Sequence, residues 1–594
     1  MLLIMIGIDA KYGGGALAHR RSAAFGGAIV KRFNTADIPM TERIQKLKDD
    51  LFAKMPEVEA DRAVLLTESY KATENEPMVK RRALAFKHIL ENIPVTIRDN
   101  ELIVGSSTIA PRSCQVYPEF SYEWLEAEFD TIATREADPF YISEETKAAL
   151  RNVFPYWKGK TTSELATAYM APEAIASVDH NMFTPGNYFY NGVGHFTVKY
   201  DEVINIGLAG VIAKIEKERS TMNVYDADYT TKHELLESMK ISCEAVINYA
   251  RRYAELAMDM AGKCTDPVRK QELLHIAKNC ARVPENPAED FYEACQAFWF
   301  IQQVLQLESS GHSISPGRFD QYMYPLYKKG IYEGTLTREF AQELLDCIWI
   351  KLNDLNKARD AASAEGFAGY SLFQNLCAGG QTADGRDATN DLSFLCIQAS
   401  MHTRLPAPSF SVRVWNGTPN EFLIKCAELT RTGVGLPAYY NDEVIIPALM
   451  SRGITLEDAR NYNIIGCVEP QVPGKTHGWH DAAFFNMCRP LELVFSNGYD
   501  KGELVGVETG DLSQFTTFDD FLDAYKKQSD YQVRMMVNAN NAIDVAHAER
   551  CPLPFASCLI EDCIKNGKTI EQGGAHYNFT GPQGFGIANM TDGL

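Results

Sequence analysis

From Met40 onward the apolar positions of the chain recur with a helical rhythm. In "MTERIQKLKDDLFAKM" the residues Ile44, Leu47, Leu51 and Met55 fall at intervals of three and four, which lines one face of an amphipathic helix. The same spacing runs through "KHELLESMKISCEAVINYARRYAELAMDM" and "DFYEACQAFWFIQQVLQLESS", and it predicts a predominantly helical stretch from 40 to about 360. Short loops and strands interrupt it, among them "ELIVGSS" at 101 to 107 and "TPGNYFYNGVGHFTVKYD" at 184 to 201. From about 370 the pattern changes. The apolar runs "LFQNLCAGG", "PSFSVRVWN", "LPAYYN" and "NYNIIGC" alternate with helical segments through "EFLIKCAELTRTG" and "DEVIIPALMSRG". Such alternation predicts βα units, whose functional residues sit on loops at strand ends.

Composition narrows the class. The 594 residues carry no linker or charge run after the first forty positions, and 45% hydrophobic residues supply one large core. A net charge of −20 argues against a nucleic-acid surface, which needs clustered Lys and Arg, and so favours a small-molecule partner. No apolar run approaches the roughly 20 residues of a membrane-spanning helix. Fourteen cysteines without a C-x-x-C pair give no zinc ribbon or iron–sulfur loop and read as reduced thiols of a cytoplasmic protein. Residues 1–39 are basic, Gly/Ala-rich and without periodicity. They are expected to be a start-site artefact, a disordered extension or, less simply, a presequence, with the folded domain at 40–594. The final "GPQGFGIANMTDGL" reads as a loop after a strand-like run, so truncation is an expectation too.

Candidate chemistry gathers in loops. "NYNIIGCVEP" places Cys467 and Glu469 two positions apart at a strand end, where alternating side chains would put both on one face. A carboxylate raises a neighbouring thiol's pKa, so the pair suits a neutral thiol beside a base rather than a thiolate nucleophile. His312 and Ser313 follow Gly311 in "ESSGHSISPGRF", and His195 follows two glycines in "NGVGHF"; each could be an ordinary loop residue. His480 and Asp481 in "GWHDAAFF" precede a segment read as a helix, where Asp481 would serve as an N-cap. A Ser–His–Asp hydrolase lacks its G-x-S-x-G elbow, and a papain-like pair lacks its local signature. A metal site from His195, His312 and a carboxylate lacks ligand spacing, and none is expected.

"GCVEP" followed by "GKTHGWHDAAFFN" closely resembles the glycyl radical enzymes, and among them the coenzyme-B12-independent diol dehydratases. "VLLTESYKATE", "RRALAFKHILENIPVTIRDNELIVGS", "GNYFYNGVGH", "GHSISPGRFDQYMYP", "LPAYYNDEVIIPALMSRG" and "AHAERCPLPF" carry the same likeness in order. The resemblance implies a ten-stranded α/β barrel of the pyruvate formate-lyase type, incomplete at its C-terminus, with a catalytic cysteine on an inner loop shielded from solvent. It implies radical dehydration of a small vicinal diol such as glycerol or propane-1,2-diol. Cys467 would be the thiyl position, Glu469 the base for the C1 hydroxyl, and His195 the acid for the leaving hydroxyl. Asp481, Asn187, His312 and Ser313 would hold the two hydroxyls. Phe373 in "YSLFQN" stands where glycerol-type enzymes are expected to have Tyr, which favours a substrate with a methyl end. The radical glycine of the family lies in a motif like R-V-x-G-Y, which is absent from these residues, so the chain is expected to be a fragment or partnered and inactive by itself. A separate radical S-adenosylmethionine activase and a homodimer are the remaining family expectations. Gly466 stands where pyruvate formate-lyases have a second cysteine, which disfavours a ketoacid acyltransferase; choline, isethionate and hydroxyproline lyases are the alternatives, beside a non-catalytic remnant.

Overall fold

The computed structural model describes residues 33–367, 369 and 372–594. The expected extension falls mostly on residues 1–32, outside the described residues. Residues 33–39, assigned to the same extension, are held against the body: Phe33 and Ile38 are buried, and Arg338 donates to the carbonyls of Asn34 and Ala36. The first amphipathic helix spans Glu42–Phe52 and buries Ile44, Leu47 and Leu51. Met55 lies beyond its end and is exposed, because the chain turns away before the stripe completes another turn.

The N-terminal half is helical, with the 35-residue helix Tyr229–Lys263 as its longest member, and it includes the 19-residue helix Phe291–Ser309. Every residue of Phe291–Ser309 is buried, so its polar side chains must find partners inside the protein. Trp299 Nε1 donates to the Gly105 carbonyl at 3.0 Å, and Gln302 Nε2 donates to the Ile314 carbonyl and to Gln374 Oε1, both at 2.8 Å. These bonds fix the irregular segments 101–107 and 310–315 against the helix.

The second half realises the βα alternation. Strands Asn375–Gly379, Ser409–Val414 and Ala438–Asn441 form a parallel sheet, joined through helices Asp391–Thr403 and Asn420–Arg431. Arg413 in the middle strand is fully buried. It makes a two-pronged pair with Asp442, the first residue of the helix Asp442–Met450, at 2.8 Å on both arms. Strand Asn463–Ile465 then turns back on Glu469–Gln471 as an antiparallel hairpin. Strand His480–Asn486 is flanked by Phe183–Pro185 on one side and Gly581–Phe585 on the other. Among the described residues the strands fall into several short sheets wrapped by helices, an α/β-barrel type of architecture. The 33-residue helix Phe518–Arg550 opens on a capping box between Thr517 and Asp520 and closes with His547 bonded to the Tyr188 carbonyl at 2.7 Å, behind the site.

Candidate active site

Three short segments converge on the tip of the 463–471 hairpin. The first is the end of the buried helix Phe291–Ser309. Ser310 takes the left-handed conformation and closes the helix by bonding Gln306, and the chain then swings through Gly311 to His312 and Ser313. The second, 192–196, lies directly on this loop, with the His195 amide donating to the His312 carbonyl at 2.8 Å. Gly194 makes that approach necessary and available: a Cβ there would fall 2.0 Å from the His312 carbonyl oxygen. The third is strand His480–Asn486. A helix cap is one of the two readings the sequence allows for Asp481; the residue lies instead in a strand, because "DAAFFN" is paired along both edges.

The hairpin tip is Gly466-Cys467-Val468. Its backbone is anchored by neutral donors: Asn375 Nδ2 donates to the Gly466 carbonyl at 2.9 Å and Tyr440 OH to the Cys467 carbonyl at 2.7 Å. Gly466 has φ +56° and forms the floor of the site. A Cβ there would stand 2.9 Å from Ser313 Oγ, 3.0 Å from Glu469 Oε2 and 3.3 Å from His195 Nε2, so these three groups face one small space. His195, Ser313, Phe373 and Asp481 all have positive φ, a concentration of backbone strain of the kind held at functional sites.

The structure brings the expected residues together. His195 Nε2 is 3.5 Å from Asp481 Oδ2, and Asn187 Nδ2 donates to the same oxygen at 3.2 Å. His312 packs its ring 5.7 Å from that of His195 and 5.1 Å from that of Phe373. Both ring nitrogens of His195, Nε2 of His312 and Oγ of Ser313 are buried without a hydrogen-bond partner, an arrangement that calls for a polar ligand. His480 turns out differently: it is a neighbour of the site whose carbonyl accepts from Tyr188 OH, and burial beside His195 pushes its pKa down to about 3.

Electrostatics suit uncharged sulfur. Burial, then Glu469 and Asp481, push the Cys467 thiol up to about 12. Burial raises the Glu469 carboxyl and Asp481 adds to that, against the lowering by His195. Burial and the adjacent Arg359 hold His312 far below the usual imidazole range, so it is neutral. Among the described residues the Cys467 side chain keeps an exposed edge at the three-residue tip, beside the exposed Val468, while the groups packed around it supply the burial that raises its pKa. Sequence reasoning also missed Gln583. Its amide nitrogen Nε2 donates to Glu469 Oε1 at 3.1 Å and to Asp481 Oδ1, filling the space between two carboxylates. Nothing around "GPQGFG" signals this, since the contact depends on the parallel pairing of Gly581–Phe585 with His480–Asn486. His195, Glu469 and Asp481 present ligand atoms within 4.8 Å of one another, a donor set that by type could also take a divalent cation.

The pyruvate formate lyase-like family model matches residues 40–594. The chain is 36% identical to the (2S)-3-sulfopropanediol dehydratase of Klebsiella oxytoca, over 93% of this chain and 68% of that protein. A solved structure described as 1,2-propanediol dehydration in Roseburia inulinivorans superposes with a TM-score of 0.93 at 68% identity, covering 94% of this chain and 67% of the other. The glycerol-bound B12-independent glycerol dehydratase of Clostridium butyricum gives 0.92 at 55% identity, covering 95% and 71%. The relatives are dehydratases and lyases, and the chain belongs to the pyruvate formate lyase-like family of glycyl radical enzymes.

Proposed function

We propose that this chain forms the substrate-binding and hydrogen-transfer part of a radical dehydratase for a small neutral vicinal diol, glycerol or propane-1,2-diol. The observation that carries the reading is the meeting of a neutral thiol, a carboxylate of raised pKa and unpartnered buried donors around Gly466. A glycyl radical, installed by a separate activase, would supply hydrogen-atom abstraction at the Cys467 S–H. Cys467 sulfur then takes the hydrogen atom from substrate C1. Glu469 removes the proton of the C1 hydroxyl, and His195 protonates the departing C2 hydroxyl as water. Return of the hydrogen atom from Cys467 to C2 leaves the aldehyde. Asp481, Asn187, His312 and Ser313 hold the two hydroxyls, and the Phe373 ring lies against the substrate's far end.

The sulfonate- and amino-acid-type substrates of related lyases fit less well. Glu469 and Asp481 face the same small space, and an anionic substrate would meet both carboxylates. The reading is supported further by the likeness to the Roseburia inulinivorans and Clostridium butyricum proteins. The test uses the complete protein, activated anaerobically and supplied with each diol. Aldehyde should form with the wild type, while Cys467→Ala and Glu469→Gln should install the glycyl radical by electron paramagnetic resonance yet form none. Aldehyde from either variant would overturn the assigned roles. A radical-bearing wild type inert to every diol would favour another lyase substrate or a non-catalytic chain.

A further inference from the structure

The loop 310–313 is supported by the segment 355–361, which leaves the helix Arg338–Asp354. Two cations at alternate positions of that segment, Lys357 and Arg359, are buried, and both reach the loop. Lys357 Nζ donates to the Ser310 carbonyl, and Arg359 Nη2 stands 3.5 Å from His312 Nδ1, in hydrogen-bonding geometry. The backbone that carries them is pinned from its outer side. The Arg359 carbonyl accepts from Arg135 Nη1 at 2.7 Å, and Glu128, paired with Arg135 at 3.0 Å, accepts from the Ala361 amide at 2.8 Å. The Phe367 ring lies 5.5 Å from both the His312 ring and the guanidinium carbon of Arg359, so the three groups form one packed layer.

The contact with Arg359 decides where the imidazole proton sits. A guanidinium carries donors and no acceptor, so it can bond Nδ1 only where that nitrogen offers a lone pair. Burial first, and Arg359 second, keep the ring neutral, and a neutral ring with a bare Nδ1 has its one N–H at Nε2. That nitrogen is buried and has no partner among the described residues. The site needs such a donor. Ionised Glu469 and Asp481 can only accept from a hydroxyl, and Asn187 and Gln583 turn amide hydrogens toward those same carboxylates. A hydroxyl that gives its proton to a carboxylate still has lone pairs to satisfy in a buried space, and an oxygen left unsatisfied there is costly.

We propose that Arg359 is a positioning residue of the site: it locks His312 in the Nε2–H form, so that His312 donates to a substrate hydroxyl oxygen and does not accept from it. The identity of that oxygen rests on the diol reading above, while the tautomer is a property of the unliganded chain. Lys357 serves the same loop, by holding the carbonyl of Ser310 in the left-handed turn that leads to His312.

The test is nitrogen-15 magnetic resonance of the whole chain labelled in histidine, with the His312 signals identified by their loss in His312→Asn. In the wild type the nitrogen coupled strongly to both ring C–H protons, which is Nε2, is expected to carry the hydrogen. In Arg359→Met, which keeps the length but has no donor, the Nδ1–H form should appear. Propane-1,2-diol, titrated by calorimetry, should bind that variant at least tenfold more weakly, and Arg359→Lys, which restores a donor, should recover most of the affinity. If Arg359→Met fails to fold, the wild-type spectrum and Arg359→Lys decide. An Nδ1–H form in the wild type, a spectrum or diol affinity unchanged in Arg359→Met, or a loss that Arg359→Lys shares in full overturns the proposal. A wild type that shows the Nε2–H form, loses it in Arg359→Met and binds no diol upholds the lock on His312 and counts against the diol reading.

Discussion

Gly466 shows how much a site can depend on a missing side chain. Alanine there would place a methyl group within 3.3 Å of Ser313, Glu469 and His195, in a backbone conformation that disfavours a Cβ by about 1–2 kcal/mol. Gly466→Ala should therefore lose diol binding by tenfold or more, measured by calorimetry, while the folded state survives. Gln583 acts in the opposite sense, by adding a group. Its amide hydrogens lie between the carboxylates of Glu469 and Asp481, and without them Glu469 would lose a donor that favours its ionised form. Glu469 must be ionised to act as base, so activity rises with pH through its raised pKa. Gln583→Ala should move that acid limb of kcat/KM toward higher pH by about one unit, at 1.36 kcal/mol per unit. Cys467, Glu469, His195, His312, Ser313, Asp481, Asn187 and Phe373 were legible in the sequence because they stand in glycine-bounded loops that carry a recognisable order. Gln583, Asn375 and Tyr440 were not, since each reaches the site through pairing that no local pattern encodes.

At the scale of elements, the βα units of 375–450 were readable because each strand is a short apolar run and each helix carries its own period. Strand His480–Asn486 was misread, because Ala482 and Ala483 suit a helix and only partners on both edges make the segment extended. The Arg413–Asp442 pair ties the middle parallel strand to the next helix and is shut off from water. Removing one partner leaves an uncompensated buried charge, so Arg413→Met should destabilise the protein by about 3–5 kcal/mol in chemical denaturation. Thr517→Ala, which deletes the cap of the helix Phe518–Arg550, should cost only about 1 kcal/mol.

For the whole molecule, two sets of buried groups shape stability against pH. Burial raises Glu59 and Glu308 to about 7 and Glu571 to about 8, so the folded state holds protons that the unfolded chain has released. Their contribution is full below the ordinary glutamate pKa and is lost as pH rises through 7 to 8. Buried His477 and His480, lowered to about 3, and His547, to about 4, act oppositely: the unfolded chain takes up protons below pH 6.5 and the fold does not. Their contribution is lost as pH falls from 6.5 toward 4. The two trends meet near pH 6, and the urea midpoint should decline clearly between pH 6.5 and 8.5. The cysteines add a different asymmetry. Eleven of the fourteen are buried, and Cys467 is the one with an exposed edge. With its pKa near 12, its alkylation by iodoacetamide at pH 8 should run roughly a thousandfold slower than at an ordinary cysteine, since the thiolate is the reactive form. The sulfur at the hairpin tip is thus kept protonated by burial first and by its two carboxylate neighbours second: electrophiles find it inert, while an agent that takes a whole hydrogen atom meets no such barrier.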